Sequence, residues 1–355
     1  MLSRMQRQIL AFLSCGLLGG MLVSALAGCG TSSAGSASAA PMKLNVGRIS
    51  NSVAFFSFYV AQQKGFFKDE NLAIGATPVL GTGAKEAAAL DAGSIDVALG
   101  VMTDVFNLAN AGRSVKVIGA LDNSYYLDII VSKSFEQRTG LTESSPLATK
   151  IDALKGKKIG ITGPGSGTEA LVTYLFKLQG MNAQTDSTLV SLGSNSSAAL
   201  AALKAGRVDA LSFFQPVGQG AVIEGIGDIF ISPTNGDVPQ MSGETHGVMY
   251  TQQSVLQAKT PAMVAFVRGI AKAEAYIHNN QSEAQTMMQS YLKGLSPAVA
   301  SAALTALMPA LPQTPEISQQ GYNVAVQFHE KAGLISKAPS YDQLIATSVI
   351  SQALK

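Results

Sequence analysis

The sequence predicts an α/β chain built as two similar lobes, and three observations carry that prediction. Short apolar segments of strand length alternate with helix-length amphipathic segments, which implies crossover connections and mostly parallel sheets. The alternation restarts at Lys157 after a polar stretch. One pattern also occurs twice: Ala89-Leu90-Asp91-Ala92-Gly93-Ser94-Ile95-Asp96-Val97 is echoed by Ala202-Leu203-Lys204-Ala205-Gly206-Arg207-Val208-Asp209-Ala210. Each copy reads as a helix end, a glycine cap and the entry to a buried strand.

Taken in order, Lys43 to Arg48 alternates as a strand, and Val53 to Gln63 is a helix stopped at Lys64-Gly65. Ala76 to Leu80 is expected as a second strand. Gly81-Thr82-Gly83 is a turn, and Ala84 to Ala92 a helix closed by Gly93. Strands are expected at Ile95 to Leu99, Val115 to Leu121 and Leu127 to Ser132. In the second half, Lys157 to Thr162 is a strand, Gly163 to Gly167 a loop, and Thr168 to Leu178 a helix ended by Gly180. From Ser254 onward the pattern is helical, with Pro261 near one helix start and amphipathic runs at Met263–Ile277 and Ser282–Leu292.

Composition excludes several classes. The 355 residues are 47% hydrophobic and 14% charged, the reverse of a disordered chain. The length suits two domains. A net charge of +2 without a long Lys/Arg run argues against a nucleic-acid partner. Two cysteines build no disulfide framework.

The first 28 residues read as an export signal. Arg4 and Arg7 precede an apolar run from Ile9 to Ala27 with no acid before Cys29, the arrangement of a charged n-region and an apolar h-region. The run ends in Leu26-Ala27-Gly28-Cys29, which resembles the lipobox of bacterial lipoproteins. That resemblance implies cleavage before Cys29 and a lipid on its thiol, anchoring the chain to a membrane of the cell envelope outside the cytoplasm, in the periplasm or at the outer face. Residues 29–41 are expected as a flexible Gly/Ser/Ala tether. Cleavage would remove Arg4 and Arg7, leaving a neutral body whose one cysteine serves as the anchor.

Past the tether, Tyr59-Val60-Ala61-Gln62-Gln63-Lys64-Gly65-Phe66-Phe67-Lys68-Asp69-Glu70-Asn71-Leu72 resembles a motif of the substrate-binding proteins of ABC importers. The group is the NMT1-like one, serving nitrate, sulfonates, taurine and thiamine-pyrimidine precursors. Asn71 stands where that motif has Gly. Both Ala-Gly-x-[Ile/Val]-Asp segments, Leu154 to Gly160 and Pro261 to Ile277 extend the likeness in register from Met42 to the C-terminus. The resemblance implies a periplasmic-binding-protein fold of type II: two doubly wound α/β lobes, two hinge strands and a ligand cleft between the lobes. Residues 42–128 and 248–355 would form lobe 1 with the C-terminal helices, and 129–247 lobe 2. The crossings are expected near Leu127–Ser132 and Gly247–Thr251.

Ligands of such sheets bind beyond the carboxyl ends of the strands, where helix N-termini offer free amides. The candidate contacts follow from that rule. Arg48, Ser50 and Asn51 follow the first strand, and Arg48 suits an oxyanion. Thr82 and Gly83 open a helix, and Thr103 follows the strand at Ile95–Leu99. Ser166, Gly167 and Thr168 form a nest that doubles as a helix cap, because Ser166 and Glu169 fit a capping box. Ser194 and Asn195 lie in the polar loop Ser191–Ser197. Phe214 and Gln215 follow the strand Asp209–Ser212, with Phe213 turned to the core. Asn123 and Tyr125, near the first crossing, offer an aromatic wall with Tyr126.

No catalytic signature accompanies these residues. His246, His278 and His329 have no companion spacing for zinc; His278 is expected in solvent and His246 near the second crossing. The loop Gly163–Gly167 is neither a P-loop nor a nucleophile elbow. Asp96 and Asp209 read as structural. The expectation is therefore a monomeric, non-enzymatic, cofactor-free receptor outside the cytoplasm that captures a small anion for an ABC permease and its ATPase. Two other readings stay open, a sensor subunit without transport and a binder of a thiamine-pyrimidine or aromatic precursor. Relatives of the fold that make thiamine pyrimidine use cofactor chemistry that an exported chain would not meet.

Overall fold

A computed structural model of the chain describes residues 40–355; the signal, Cys29 and most of the tether lie outside the described residues. Eleven strands are formed among those residues: β1 Met42–Leu44, β2 Val46–Arg48, β3 Leu72–Ile74, β4 Val97–Val101, β5 Val115–Ala120, β6 Leu127–Ser132, β7 Lys158–Ile161, β8 Thr188–Ser191, β9 Ala210–Phe214, β10 Gly227–Ile231 and β11 Gly247–Gln252. They make a four-stranded sheet in the order β2-β4-β11-β5, a five-stranded sheet in the order β10-β6-β9-β7-β8, and a small β1-β3 pair. The chain crosses between the two large sheets in the segments before β6 and before β11.

The sheets are mixed, where sequence alone suggested mostly parallel ones. Pairs β2–β4, β7–β9 and β7–β8 are parallel, each joined through a helical crossover. Strands β6 and β11 run antiparallel to both of their neighbours. Each follows a passage from the other sheet, so no right-handed crossover dictates its direction.

The expected strand at Ala76–Leu80 is corrected to a single bridge, Arg48 to Val79, and the true strand is β3. Pro78 has no amide to give a ladder. The segment instead lies along β2, with Val46 N donating to Ala76 O at 3.0 Å, Arg48 N to Pro78 O at 3.1 Å and Leu80 N to Arg48 O at 2.9 Å.

The repeated sequence pattern folds into a repeated device. Gly93 and Gly206 take left-handed φ values of 65° and 66°, a conformation open to glycine at low cost. The aspartate three residues later then ties the strand entry to its neighbour: Asp96 Oδ2 accepts from Asn45 N at 2.9 Å, and Asp209 Oδ2 from Lys158 N at 3.1 Å. Lys259 and Arg138 neutralise the two carboxylates.

The motif at Tyr59–Leu72 is a corner. Helix Phe56–Lys64 ends at Gly65, φ 78°, a short helix Phe66–Asp69 follows, and Asn71 at φ 52° turns the chain into β3. Asn is among the few side chains that enter this region readily, which accounts for its standing in for Gly. Phe67 stacks on Phe266 of helix Thr260–Asn279 with centroids 5.2 Å apart, and a Cβ at Gly269 would come within 2.5 Å of the Phe67 ring.

The C-terminal helices touch both halves of the fold. Helix Gln319–Ala332 packs on helix Gly167–Leu178, and helix Pro297–Leu307 on helix Val217–Ile223. Phe328 meets Tyr125 and Tyr174 with centroids 4.9 and 4.8 Å away, while the adjacent His329 reaches Thr103. No helix among the described residues is long and apolar enough to cross a membrane.

Candidate ligand cleft

Three helices begin where strands of the two sheets end, a fourth follows the segment bridged to β2, and residues at their starts line one cavity. Thr82 caps helix Gly83–Asp91, its Oγ1 accepting from Lys85 N at 3.2 Å. Strand β4 passes directly into helix Met102–Asn110, where Asp104 Oδ2 accepts from Val101 N at 3.1 Å. In the second half, Ser166 caps helix Gly167–Leu178 and Asn195 caps helix Ser196–Lys204, accepting from Glu169 N at 3.3 Å and Ala198 N at 2.9 Å. The expected capping box is only half formed, because Glu169 Oε2 accepts from Gly165 N at 2.6 Å. The first amides of each helix have no intrahelical acceptor and carry the positive end of its dipole.

Between these starts lies an inner cavity of about 40 Å³. One water needs about 10–15 Å³ by the same measure, so the space suits a group of roughly three heavy atoms. Ser50, Thr82, Gly83 and Asp104 line it from the first half, and Ser166, Gly167, Thr168, Ser194 and Phe214 from the second. Tyr126 and His246, from the two crossing segments, complete it. Ser194 also lines an outer cleft of about 710 Å³, together with Arg48, Asn51, Asn195, Tyr291 and Lys293. On the opposite side, Asn107 Nδ2 donates to Gly165 O at 2.8 Å, a hydrogen bond from the first half to the second.

The electrostatics of the two spaces differ. Among its described lining residues the inner cavity has no Lys or Arg. Burial raises the Asp104 carboxyl to about 7, opposed by its bond from Val101. Behind it, burial and the Asp104 charge push Glu86 well above the usual carboxylate range, and Glu86 Oε2 accepts from Tyr250 OH at 2.8 Å. His246 is fully buried and burial holds its imidazole well below the usual value, so it is neutral. Neither ring nitrogen has a hydrogen-bond partner; Nδ1 lies 3.6 Å from Glu244 Oε1. Tyr125 packs against the His246 ring with centroids 3.9 Å apart and donates to Gly167 O at 2.6 Å. In the outer cleft, Arg48 forms no ion pair among the described residues, and its buried Nε lacks a hydrogen-bond partner. Burial raises Tyr291 beside it, and the Arg48 charge opposes that rise.

Of the residues chosen from sequence, Ser50, Thr82, Gly83, Ser166, Gly167, Thr168, Ser194 and Phe214 meet in the inner cavity, and Arg48, Asn51 and Asn195 in the outer cleft. Four stand elsewhere. Thr103 is turned into the core, donating to His329 Nε2 at 2.8 Å, a polarity fixed because His329 Nδ1 must donate to Ala325 O. Asn123 is exposed, Tyr125 lies behind His246, and Gln215 is buried beside Asp128. His278, expected in solvent, is half-buried with Nε2 3.2 Å from the Leu311 and Pro312 carbonyls. Sequence reasoning missed Asp104, which follows a valine where a polar cap would have flagged a helix start, and underweighted Tyr126 and His246.

The sequence model of the NMT1-like family matches residues 37–291. No curated protein matches the chain significantly. Among solved structures, a protein from Bordetella bronchiseptica RB50 is 24% identical with a TM-score of 0.75, covering 88% of this chain and 96% of that one. The alkanesulfonate-binding protein SsuA from Xanthomonas axonopodis pv. citri, bound to MOPS, is 18% identical with a TM-score of 0.66, covering 89% and 98%. The periplasmic nitrate-binding protein NrtA from Synechocystis PCC 6803 is 13% identical with a TM-score of 0.68, covering 88% of each. The fold is that of the periplasmic binding proteins.

Proposed function

The chain belongs to the NMT1-like family, and from that premise we propose that it is an extracytoplasmic receptor that captures a small organic or inorganic anion and delivers it to an ABC permease. The observation that carries the anion is Arg48: a guanidinium without an ion-pair partner among the described residues, in an outer cleft onto which the start of helix Ser196–Lys204 opens, with Ser194 shared by the inner cavity where helices of both halves begin. Both features favour negative charge. The names of two similar structures, an alkanesulfonate binder and a nitrate binder, agree with that charge.

In this reading residues 42–128 and 248–355 move as one lobe and 129–247 as the other. Ligand held by one lobe stabilises the closed form because only closure adds the second lobe's contacts. The receptor is a monomer and performs no chemistry. Its lipid anchor is Cys29.

A thermal-shift panel of nitrate, taurine, alkanesulfonates, aromatic carboxylates and pyrimidines tests the proposal, since a ligand of the native state raises stability by RT ln(1 + [L]/Kd). Anions should raise the melting temperature; a panel in which only neutral or cationic solutes do so overturns the anion assignment. Anchoring is tested separately: Cys29→Ala should leave the chain unprocessed or outside the membrane fraction, and normal cleavage with membrane attachment refutes it.

A further inference from the structure

His246 stands where the two halves of the fold meet. Its carbonyl accepts from Met102 N at 2.8 Å, the first amide of helix Met102–Asn110 in the first half. The Cε1–Nε2 edge of its ring faces Gly167, the first residue of helix Gly167–Leu178 in the second half; a Cβ on Gly167 would lie 3.5 Å from Cε1 and 3.7 Å from Nε2. The backbone is pinned on both sides, Thr245 N donating to Gly321 O at 3.2 Å and Gly247 N to Asp122 Oδ1 at 3.0 Å. Tyr125 and Tyr126 pack on the ring with centroids 3.9 and 5.2 Å away. The imidazole is thus held in place, fully buried and part of the inner cavity wall, yet neither nitrogen has a hydrogen-bond partner. Leaving a buried polar group unmet costs more than a typical hydrogen bond gains, so the ring is poised to contact whatever fills the cavity.

Which nitrogen carries the proton decides what the ring offers, because a neutral imidazole donates from one nitrogen and accepts at the other. Beside Nδ1 is Glu244, fully buried, with Oε1 3.6 Å away and no hydrogen bond at either oxygen. A protonated carboxyl there donates to Nδ1 and leaves the ring proton on Nε2, towards the cavity. A charged one draws the proton to Nδ1 and turns a lone pair inward. Burial, reinforced by the Asp122 charge, pushes Glu244 well above the usual carboxylate range, which favours the protonated form. Around the pair, burial raises Asp122 to about 7, lowers His329 to about 4 and keeps Tyr125, Tyr126 and Tyr174 protonated. From the first half, burial raises Asp104 to about 7 and, with the Asp104 charge, lifts Glu86 well above its usual range. At pH 6 each of these groups is mainly uncharged.

We propose that His246 is a ligand contact, donating from Nε2–H to an oxygen of the bound anion beside the start of helix Gly167–Leu178, and that Glu244 is a positioning residue that donates to Nδ1 and so fixes this tautomer. The ring then joins the helix-start amides and hydroxyls of the cavity wall as a further donor, and one without charge. The 3.6 Å between Glu244 and Nδ1 closes to a hydrogen bond with a movement of about half an ångström. The inference rests on the anion reading above and adds to it a named donor and a proton that must stay in place.

The chain contains three histidines, so nitrogen-labelled histidine gives three ring systems, and the one lost in His246→Gln belongs to His246. Proton–nitrogen correlation spectra of the purified full-length protein at pH 6 read the tautomer directly. Nε2 should carry the proton, and its resonance should move on saturation with nitrate, taurine or 1-propanesulfonate. By isothermal titration His246→Leu should weaken those anions about tenfold or more, whereas His246→Gln, whose amide returns a donor near the Nε2 position, should cost less than about threefold. Glu244→Leu, which deletes a carboxyl that makes no hydrogen bond, should populate both tautomers and weaken binding about 2–10-fold with His246 still present; Glu244→Met replaces it if that variant does not fold. A proton on Nδ1 in the parent, an Nε2 resonance unmoved by a saturating anion, or equal losses in His246→Leu and His246→Gln overturns the His246 contact. An Nε2–H tautomer unaltered in the Glu244 variant overturns the role of Glu244. In each case anions that raise the melting temperature leave the anion reading standing, and if none of them does, both readings fall. Should His246→Leu not fold, the resonances of the parent decide.

Discussion

Asp128, on β6, is a carboxyl placed where no cation reaches it. Its side chain is fully buried, with Ser232 and Gln215 as its polar neighbours. Burial raises it from 3.8 to about 7, opposed by Ser232 and Gln215 and reinforced by the Asp237 charge. Between pH 4 and pH 7 the native carboxyl therefore holds a proton that the unfolded chain has released, and stability falls as pH rises through that window. At about 1.4 kcal/mol per pH unit the full effect approaches 4 kcal/mol. Asp128→Asn keeps the shape and removes the titration. Its advantage over the parent should be near zero at pH 4 and grow to about 4 kcal/mol by pH 8, or a melting temperature higher by roughly 5–10 °C for a chain of this size. Melting curves of both proteins from pH 4 to 8 read the difference directly, because the other buried acids cancel. A difference that stays flat with pH, or that shrinks as pH rises, refutes the reasoning.

Three further outcomes follow from individual contacts. Tyr250→Phe removes the one hydroxyl that donates to the buried Glu86 Oε2 and should cost about 1–3 kcal/mol in urea unfolding; no measurable loss would mean that Glu86 finds another donor. Asn71→Ala puts a plain Cβ at φ 52° and should cost about 1–2 kcal/mol, whereas Asn71→Gly, which takes this φ without strain, should cost less; equal effects of the two would show that backbone conformation does not decide this position. Asn107→Ala deletes the hydrogen bond to Gly165 O and should weaken ligand binding by about 2–10-fold, the value of a single hydrogen bond, chiefly through faster dissociation; unchanged dissociation would remove this bond from the closing contacts.

Legibility in the sequence followed the range of the interactions. Helix starts at Thr82 and Ser166 were readable because a capping side chain acts within three residues of itself. The Gly93/Asp96 and Gly206/Asp209 pairs were readable because the same local device is written twice. The inner cavity was less so. Asp104 caps from inside its own helix, behind Val101, and His246 reaches the cavity only through a crossing segment whose course no local pattern encodes. Thr103 illustrates the converse: next in sequence to a cavity residue, it turns away to His329, more than 200 residues along the chain. Strand direction in β6 and β11 likewise depends on which sheet the chain has just left.

The rings of His246, Tyr125, Phe328 and Tyr174, each tilted against the next, fill the side of the cleft where the chain crosses between halves. In the two-lobe reading proposed above, opening would pivot about that seam, and displacement would grow with distance from it. Val79, 44% exposed, lines the outer cleft. The chain contains no tryptophan, so a single indole introduced as Val79→Trp emits against a blank background. Its emission should shift when the mouth closes over it, giving a direct optical readout of ligand capture.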